Sequence, residues 1–153
     1  MDKVIEYIRQ SNYATASSCS HHKYRGGLVD HVLEVYDLMM QRRGSLPEDS
    51  IAICAFLHDL DKTRKAGVKI CECHPKGAIA ILDMCNFQLT QDERTAILNH
   101  HEIAPSYFTD SLRHCLSSSD MTSTGEWKLE HPKANESLSR RLKNILLYEF
   151  SKL

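Results

Sequence analysis

The segment of residues 51–62 constrains the chain most, because an apolar run within it ends in a histidine and an aspartate. Ile51, Cys54 and His58 recur at helical spacing, which places the His58 side chain on the face that points into the core. Burial of His58 and Asp59 among apolar side chains costs free energy unless a partner satisfies both. A bound metal ion is a partner that would satisfy both side chains together.

One helix end cannot hold a metal ion alone, so the rest of the chain is expected to contribute further ligands. Imidazole and carboxylate side chains, which are common ligands of transition metals, occur on both sides of the segment. The further candidates, expected on separate helices, are His31, His74, the neighbours His100 and His101, and Asp120. Taken singly, His31 could be a satisfied core histidine and Asp120 a helix cap. The ordered set favours metal binding for both.

The order of these residues resembles that of the HD-domain metal-dependent hydrolases, in which a lone histidine, a His-Asp doublet, further histidines and a distal aspartate follow one another. The resemblance extends from about residue 24 to residue 120 and includes the motif Gly-Gly-Leu-x-x-His and Lys62, three residues after Asp59. It implies an HD-domain helical bundle of about six to seven helices. The whole chain, 1–153, would form a single domain with its metal-binding core at about 24–122.

Apolar periodicity, helix breakers and capping residues predict an all-α chain without sustained strand alternation. Helices are predicted, in chain order, at 2–10, from Leu28 to about Arg43, from Pro47 through the His58-Asp59 doublet, from Pro75, after a capping box at 90–93, from about Asp110 to Asp120 and at about 134–151. The last helix is expected to pack back onto the core. Loops are predicted between the helices, including a basic segment at 61–73 and a segment that opens at Ser123.

The composition is that of an ordinary globular domain with room for a sizeable core, at a length of 153 residues. The net charge of −1 gives no overall attraction to nucleic acid or to an anionic membrane, so a phosphate-bearing ligand must be attracted locally. No apolar run approaches a membrane span, and the first residues lack the apolar core of a signal peptide. A cytoplasmic location is expected, although the terminal Ser-Lys-Leu would match a peroxisomal address in a eukaryote.

The cysteines are predicted to be reduced rather than paired in disulfides. Cys54, Cys85 and Cys115 fall within helical patterns and are expected as core thiols. The sequence Cys-Glu-Cys-His at 71–74 contains the elements of half a zinc site, but no second cysteine pair at finger-like spacing completes it. A structural zinc there is the minor alternative.

The family resemblance also implies the ligands of two divalent metal ions that share Asp59. They are His31, His58, Asp59 and Asp120 for the first ion, and Asp59, His74, His100 and, as a further candidate, His101 for the second. This mixture of imidazole and carboxylate suits iron, manganese, nickel, cobalt or zinc without choosing among them. Ions bridged in this way lie about 3.5–4 Å apart, and a metal lowers the pKa of bound water from about 15.7 to about 7, so hydroxide is the expected nucleophile.

A phosphate substrate would also need positive charge from the protein. Lys62 is the first candidate for a catalytic and substrate-binding role beside Asp59, because the His-Asp-x-x-Lys pattern of the family brings this lysine to a substrate or phosphate oxygen. Arg64 and Lys65 are second candidates, with plain solvation as the alternative. His22 and Arg25 precede the Gly-Gly turn and are expected at the rim of the site.

Departures from subfamily patterns restrict the assignment. The segment His100-His101-Glu102 resembles the corresponding segment of cyclic-di-GMP phosphodiesterases with an HD-GYP motif. The Gly-x-Gly-Tyr-Pro that should follow it is absent. The Gly-Gly-Leu-x-x-His motif also resembles HD-type 3′–5′ exoribonucleases, but no OB-fold segment accompanies it. Residue 61 is aspartate where the family commonly has glycine, and its charge either orients Lys62 or lies solvated at a helix end.

The resemblance therefore implies a metal-dependent phosphohydrolase or phosphodiesterase that acts on a nucleotide or another small phosphate ester. A di-iron oxygenase of the same family is the rival from a different reaction class, since ligand spacing does not separate the two. A non-catalytic metal-binding sensor or interaction module is the third hypothesis. The chain is expected to be a monomer or a homodimer, without a membrane partner.

Overall fold

A computed structural model describes residues 2–18, 22–70, 73–102 and 111–130, with side chains as far as residue 124. The α-helices in these ranges are α1 (Asp2–Gln10), α2 (Gly27–Arg42), α3 (Glu48–Leu57), α4 (Lys76–Met84), α5 (Gln91–Leu98) and α6 (Leu112–Glu130). Two short 3-10 turns, Tyr13–Thr15 and Leu60–Lys62, follow α1 and α3. The described residues contain no β-strand, which confirms the all-α prediction for this part of the chain.

All six helices contribute side chains to the core. Helix α2 packs on α3 and α6, α5 packs on α3 and α6, and α4 lies against α5 and the turn Leu60–Lys62. The predicted apolar stripe of α2, formed by Leu28, Val32, Val35 and Met39, is completely buried. Because His31 lies beside this stripe, α2 also carries an imidazole into the core, where it has no exposed surface.

A local sequence signal fixes the start of α5. At the start of α5, the Thr90 hydroxyl accepts from the Glu93 backbone N–H and the Glu93 carboxylate accepts from the Thr90 N–H, so the predicted capping box is confirmed. Pro47 and Pro75 are not inside helices as predicted, since each is the residue before the first helical one. The ψ of Pro47 is 134°, which is extended backbone.

The loop predicted from Ser123 is wrong, because α6 continues through this position to Glu130. Short polar side chains can stay in a helix when their hydroxyl groups bond to the helix itself. The Thr122 hydroxyl donates to the Ser118 carbonyl at 2.7 Å, and the Thr124 hydroxyl donates to the Asp120 carbonyl at 2.9 Å. The helix predicted at about 134–151 and most of the loop predicted before α6 lie outside the described residues.

Burial agrees with the predicted role of the cysteines. Cys54, Cys85 and Cys115 are buried free thiols, and Cys73 is an exposed free thiol. Cys19 and Cys71 lie outside the described residues. No helix among the described residues is long and apolar enough to cross a membrane.

The start of α2 passes directly against the backbone of the preceding turn. A Cβ atom on Gly27 would lie 2.0 Å from the carbonyl oxygen of His22. We expect Gly27→Ala to lower the free energy of unfolding by about 1–3 kcal/mol despite the better helix propensity of alanine, because backbone must move to admit the methyl group. Chemical denaturation would measure this loss. Gln41→Ala, on the exposed side of the same helix, is the control and should change stability by less than about 0.5 kcal/mol. Equal stability of the two variants would contradict the prediction.

Candidate metal centre

The His-Asp doublet lies where the chain leaves α3. His58 is the residue that follows the last full turn of the helix, and Asp59 precedes the turn Leu60–Lys62. His58 has no exposed surface and Asp59 is only 1% exposed. The predicted burial of two metal-binding side chains at the end of an apolar helix is therefore confirmed.

One group of ligand atoms gathers on the Oδ2 side of Asp59. His31 comes from α2 and Asp120 from α6, so three elements converge here. His31 Nε2 lies 3.1 Å from Asp120 Oδ1, 3.4 Å from His58 Nε2 and 3.5 Å from Asp59 Oδ2. These are the residues that the family resemblance assigned to a first ion.

A second group of ligand atoms gathers on the Oδ1 side of Asp59. His74 Nε2 lies 3.5 Å from Asp59 Oδ1, 3.2 Å from His100 Nε2 and 2.6 Å from His101 Nε2. His74 precedes α4, whereas His100 and His101 follow α5. The structure thus brings together all the predicted ligands, with Asp59 between the two groups.

Two of the imidazoles are oriented by the backbone of their own helices. The His58 Nδ1 atom donates to the Ala55 carbonyl at 2.9 Å, and His100 Nδ1 donates to the Ile97 carbonyl at 2.7 Å. A carbonyl oxygen can only accept, so the proton of each neutral ring is on Nδ1. The lone pair on Nε2 of each ring therefore faces the centre.

His31 is oriented by a chain of polar side chains. The Ser123 hydroxyl donates to Glu34 Oε2 at 2.7 Å, so its oxygen accepts from His31 Nδ1 at 3.1 Å. His22 Nε2 lies 3.4 Å from the same Glu34 oxygen. Sequence reasoning missed Ser123 and Glu34, since Ser123 had been assigned to a loop. Glu34 could have been found from its position about one helical turn after His31, which places both side chains on the same face of α2.

Asp61 and Lys62 have different partners on the turn after the doublet. The Lys62 ammonium lies 2.6 Å from Asp59 Oδ2, whereas both Asp61 carboxylate oxygens lie near His74 Nδ1, at 2.9 and 3.1 Å. The Asp61 carboxylate thus pairs with His74. The sequence-based alternatives, in which Asp61 orients Lys62 or lies solvated at a helix end, do not describe this contact. After Ser123 and Glu34, Asp61 is a third residue of the site that sequence reasoning did not assign.

The chemistry of these donor atoms fits metal ions. Nε2 of His31 and Nε2 of His58 are 3.4 Å apart, and both present lone pairs, as do the Nε2 atoms of His74 and His100 at 3.2 Å. Such contacts between acceptors are repulsive unless a cation lies among them. Asp59 Oδ1, moreover, is buried and has no hydrogen-bond partner among the described residues. The buried histidine and aspartate clusters could therefore hold metal ions.

The electrostatics of the cluster favour the protonation states that a metal needs. Burial raises the pKa of Asp59, but the neighbouring His58 and Lys62 outweigh burial and hold the pKa well below its usual range. Burial also raises the pKa of Asp120, but its contacts with His31 and His58 outweigh burial, and the pKa is lowered. Both carboxylates are therefore ionised at neutral pH.

Burial has the opposite effect on the imidazoles. It lowers the pKa of His58, and burial followed by the neighbouring His58 lowers the pKa of His100 to about 3. Burial and the neighbouring His74 lower the pKa of His101. These three rings are neutral at pH 7, the form in which imidazole binds a metal ion.

The predicted substrate-binding residues are placed differently with respect to the cluster. Lys62 joins it directly, and the His22 ring centroid lies 5.5 Å from that of His31. Arg64 is exposed and donates to two carbonyl groups of its own segment, while Arg25 is exposed. The Lys65 ammonium lies over the ring of Tyr7, 5.4 Å from its centroid. Substrate binding by these residues stays a prediction.

The two sides of the cluster differ in exposure. The side chains of His31 and His58 are completely buried, whereas His74 is 22% exposed and His101 is 55% exposed. Solvent therefore reaches the cluster from the side of His74 and His101. The potential ligand groups among the described residues contain no cysteine, so Cys73 takes no part in them.

Comparison of the chain with protein-family models, with curated proteins and with solved structures finds no match. The chemistry of this centre is therefore inferred from its own residues.

We expect protein purified without chelator to contain about two transition-metal ions per chain, one for each side of the bridging carboxylate. His58→Ala should lose most of this metal, because it removes a completely buried imidazole from the first group. Elemental analysis would measure the metal content. His114→Ala, half-buried on α6 and outside the ligand groups, is the matched control. Wild-type metal content in the His58 variant would contradict the assignment.

Proposed function

We propose that the chain is a metal-dependent phosphohydrolase or phosphodiesterase of the HD-domain kind, with a nucleotide or another small phosphate ester as substrate. The observation that carries the proposal is the position of Asp59 between two groups of imidazoles. Its Oδ2 atom faces His31 and its Oδ1 atom faces His74, at 3.5 Å in both cases. A carboxylate placed in this way suits a pair of cations that share it.

His31, His58, Asp59 and Asp120 would hold the first cation, and Asp59, His74, His100 and His101 the second. Bound divalent cations at such a centre supply a water of lowered pKa and stabilise the attacking and leaving oxygens of a displacement. The protein contributes the fixed orientation of the ligands, because hydrogen bonds at Nδ1 hold several of the rings.

Lys62 supports the choice of a phosphate substrate. Its ammonium group has three donors, of which one is directed at Asp59 Oδ2 at 2.6 Å, and its side chain is 11% exposed. The positive charge of Lys62, placed beside the centre, suits an anionic ligand. Lys62 also offsets the charge of the buried Asp59 carboxylate, which keeps this carboxylate ionised.

The charge balance of the centre also suits an anionic substrate. The carboxylates of Asp59, Asp61 and Asp120 make the centre acidic, and Lys62 offsets only one of them. Two divalent cations would reverse the sign and leave a net positive charge at the side that solvent reaches. A phosphate ester would be attracted to this side even though the chain as a whole has a net charge of −1.

We expect the metal-loaded protein to release phosphate or a nucleoside monophosphate from a panel of nucleotides and cyclic dinucleotides. Lys62→Met should lower kcat/KM at least about 100-fold, because it removes a preorganised donor for substrate charge. Its metal content should change little, since the lysine is not a ligand. Lys69→Met, an exposed lysine of the same basic segment, is the matched control and should retain activity.

The same protein tests the competing functions. Oxygen consumption by the iron-loaded protein without phosphate release would replace the hydrolase with a di-iron oxygenase. Full metal occupancy with neither reaction across broad substrate panels would instead indicate a sensor or an interaction module. Equal turnover by the Lys62 and Lys69 variants would remove Lys62 from the mechanism and leave the hydrolase assignment intact.

A further inference from the structure

His74 is held differently from His100, its neighbour in the second group. His100 follows α5 and donates Nδ1 to a carbonyl three residues earlier in the same helix. His74 precedes α4, so no carbonyl of that helix lies behind it in the chain to take its Nδ1 proton. Its orientation therefore depends on a group from another segment.

Asp61 is that group. Its two carboxylate oxygens lie 2.9 and 3.1 Å from His74 Nδ1. On the opposite edge of the ring, His74 Nε2 lies 3.5 Å from Asp59 Oδ1. Two aspartates separated by one residue thus face the two nitrogen atoms of one imidazole, and the turn Leu60–Lys62 sets their spacing.

We propose that Asp61 is a positioning residue that gives the second cation position its affinity. By accepting the Nδ1 proton of His74, the carboxylate keeps the lone pair on Nε2 and aims it at the centre. A carboxylate on the far nitrogen also makes an imidazole a stronger ligand, and loss of such partners typically weakens metal binding 10–100-fold. The inference rests on the two-cation centre proposed above.

The effect is specific to one side of the centre. His74 Nε2 lies with Asp59 Oδ1, His100 and His101, and it is not among the atoms gathered around His31. The His74 side chain is also 22% exposed, so without Asp61 it could rotate into water and exchange its tautomer. The completely buried His58 has no such freedom.

The experiment is a titration of the metal-free protein with Co²⁺. Binding is measured by calorimetry and by the visible absorption of the bound ion. We expect two binding steps in the wild type. Asp61→Ala should weaken the second step about 10–100-fold and leave the first unchanged. Asp61→Asn should lose less, because the amide oxygen can still accept the Nδ1 proton without supplying charge. Asp37→Asn, exposed on α2, removes the same charge away from the centre and should bind as the wild type does.

A tautomer measurement separates positioning from a general loss of structure. In ¹⁵N spectra of the metal-free protein, His74 should carry its proton on Nδ1 in the wild type and lose this preference in Asp61→Ala, with the His100 tautomer unchanged. Equal second-step affinities in wild type and Asp61→Ala would overturn the role of Asp61 alone. A changed Co²⁺ spectrum at saturation in Asp61→Asn would make Asp61 a ligand and also overturn it. A wild type that binds fewer than two ions would overturn the two-cation centre itself.

Discussion

An ionised carboxylate at the centre of a helical core is the constraint on which the rest of the structure depends. Asp59 is almost completely buried, and burial alone would favour its neutral form. The neighbouring His58 and Lys62 reverse that preference, while the Oδ1 atom lacks a hydrogen-bond donor among the described residues. A carboxylate left in this state needs positive charge close by. The surrounding imidazoles supply lone pairs, which add to this need and make a cation the matching partner.

Helix ends deliver most of the ligands to this carboxylate. His58 follows α3, His100 follows α5 and His74 precedes α4, so each lies where the chain changes direction and can face a common point. The rings of His58 and His100, at the carboxyl ends of α3 and α5, use a carbonyl of the last turn as their anchor. The ring before α4 lacks that option and uses Asp61 instead. The position of each histidine relative to its helix thus determines what kind of anchor it needs.

Much of this arrangement could be predicted from the sequence, and the exceptions have physical causes. The stripe of α2 and the capping box of α5 follow from local rules, and the ordered histidines and aspartates indicated which side chains gather at the centre. Ser123 was assigned to a loop because serine has low helix propensity, yet its hydroxyl is buried and bonded to Glu34. The partner of Asp61 is His74, which lies 13 residues later in the chain, after the chain has changed direction. No periodic pattern in the sequence predicts such a contact.

Apolar packing and backbone hydrogen bonds hold the candidate ligands in place. The apolar stripe of α2 is buried against its neighbours, and each completely buried side chain such as Leu28 or Met39 contributes about 1.5–3 kcal/mol. The hydrogen bonds that orient the rings of His58 and His100 are made to backbone carbonyls of folded helices. Repulsion among the lone pairs is therefore confined to one point, whereas the apolar packing that opposes it involves buried side chains of all six described helices. Such a centre would be preorganised, so that the energy of cation binding would be available for affinity instead of for folding.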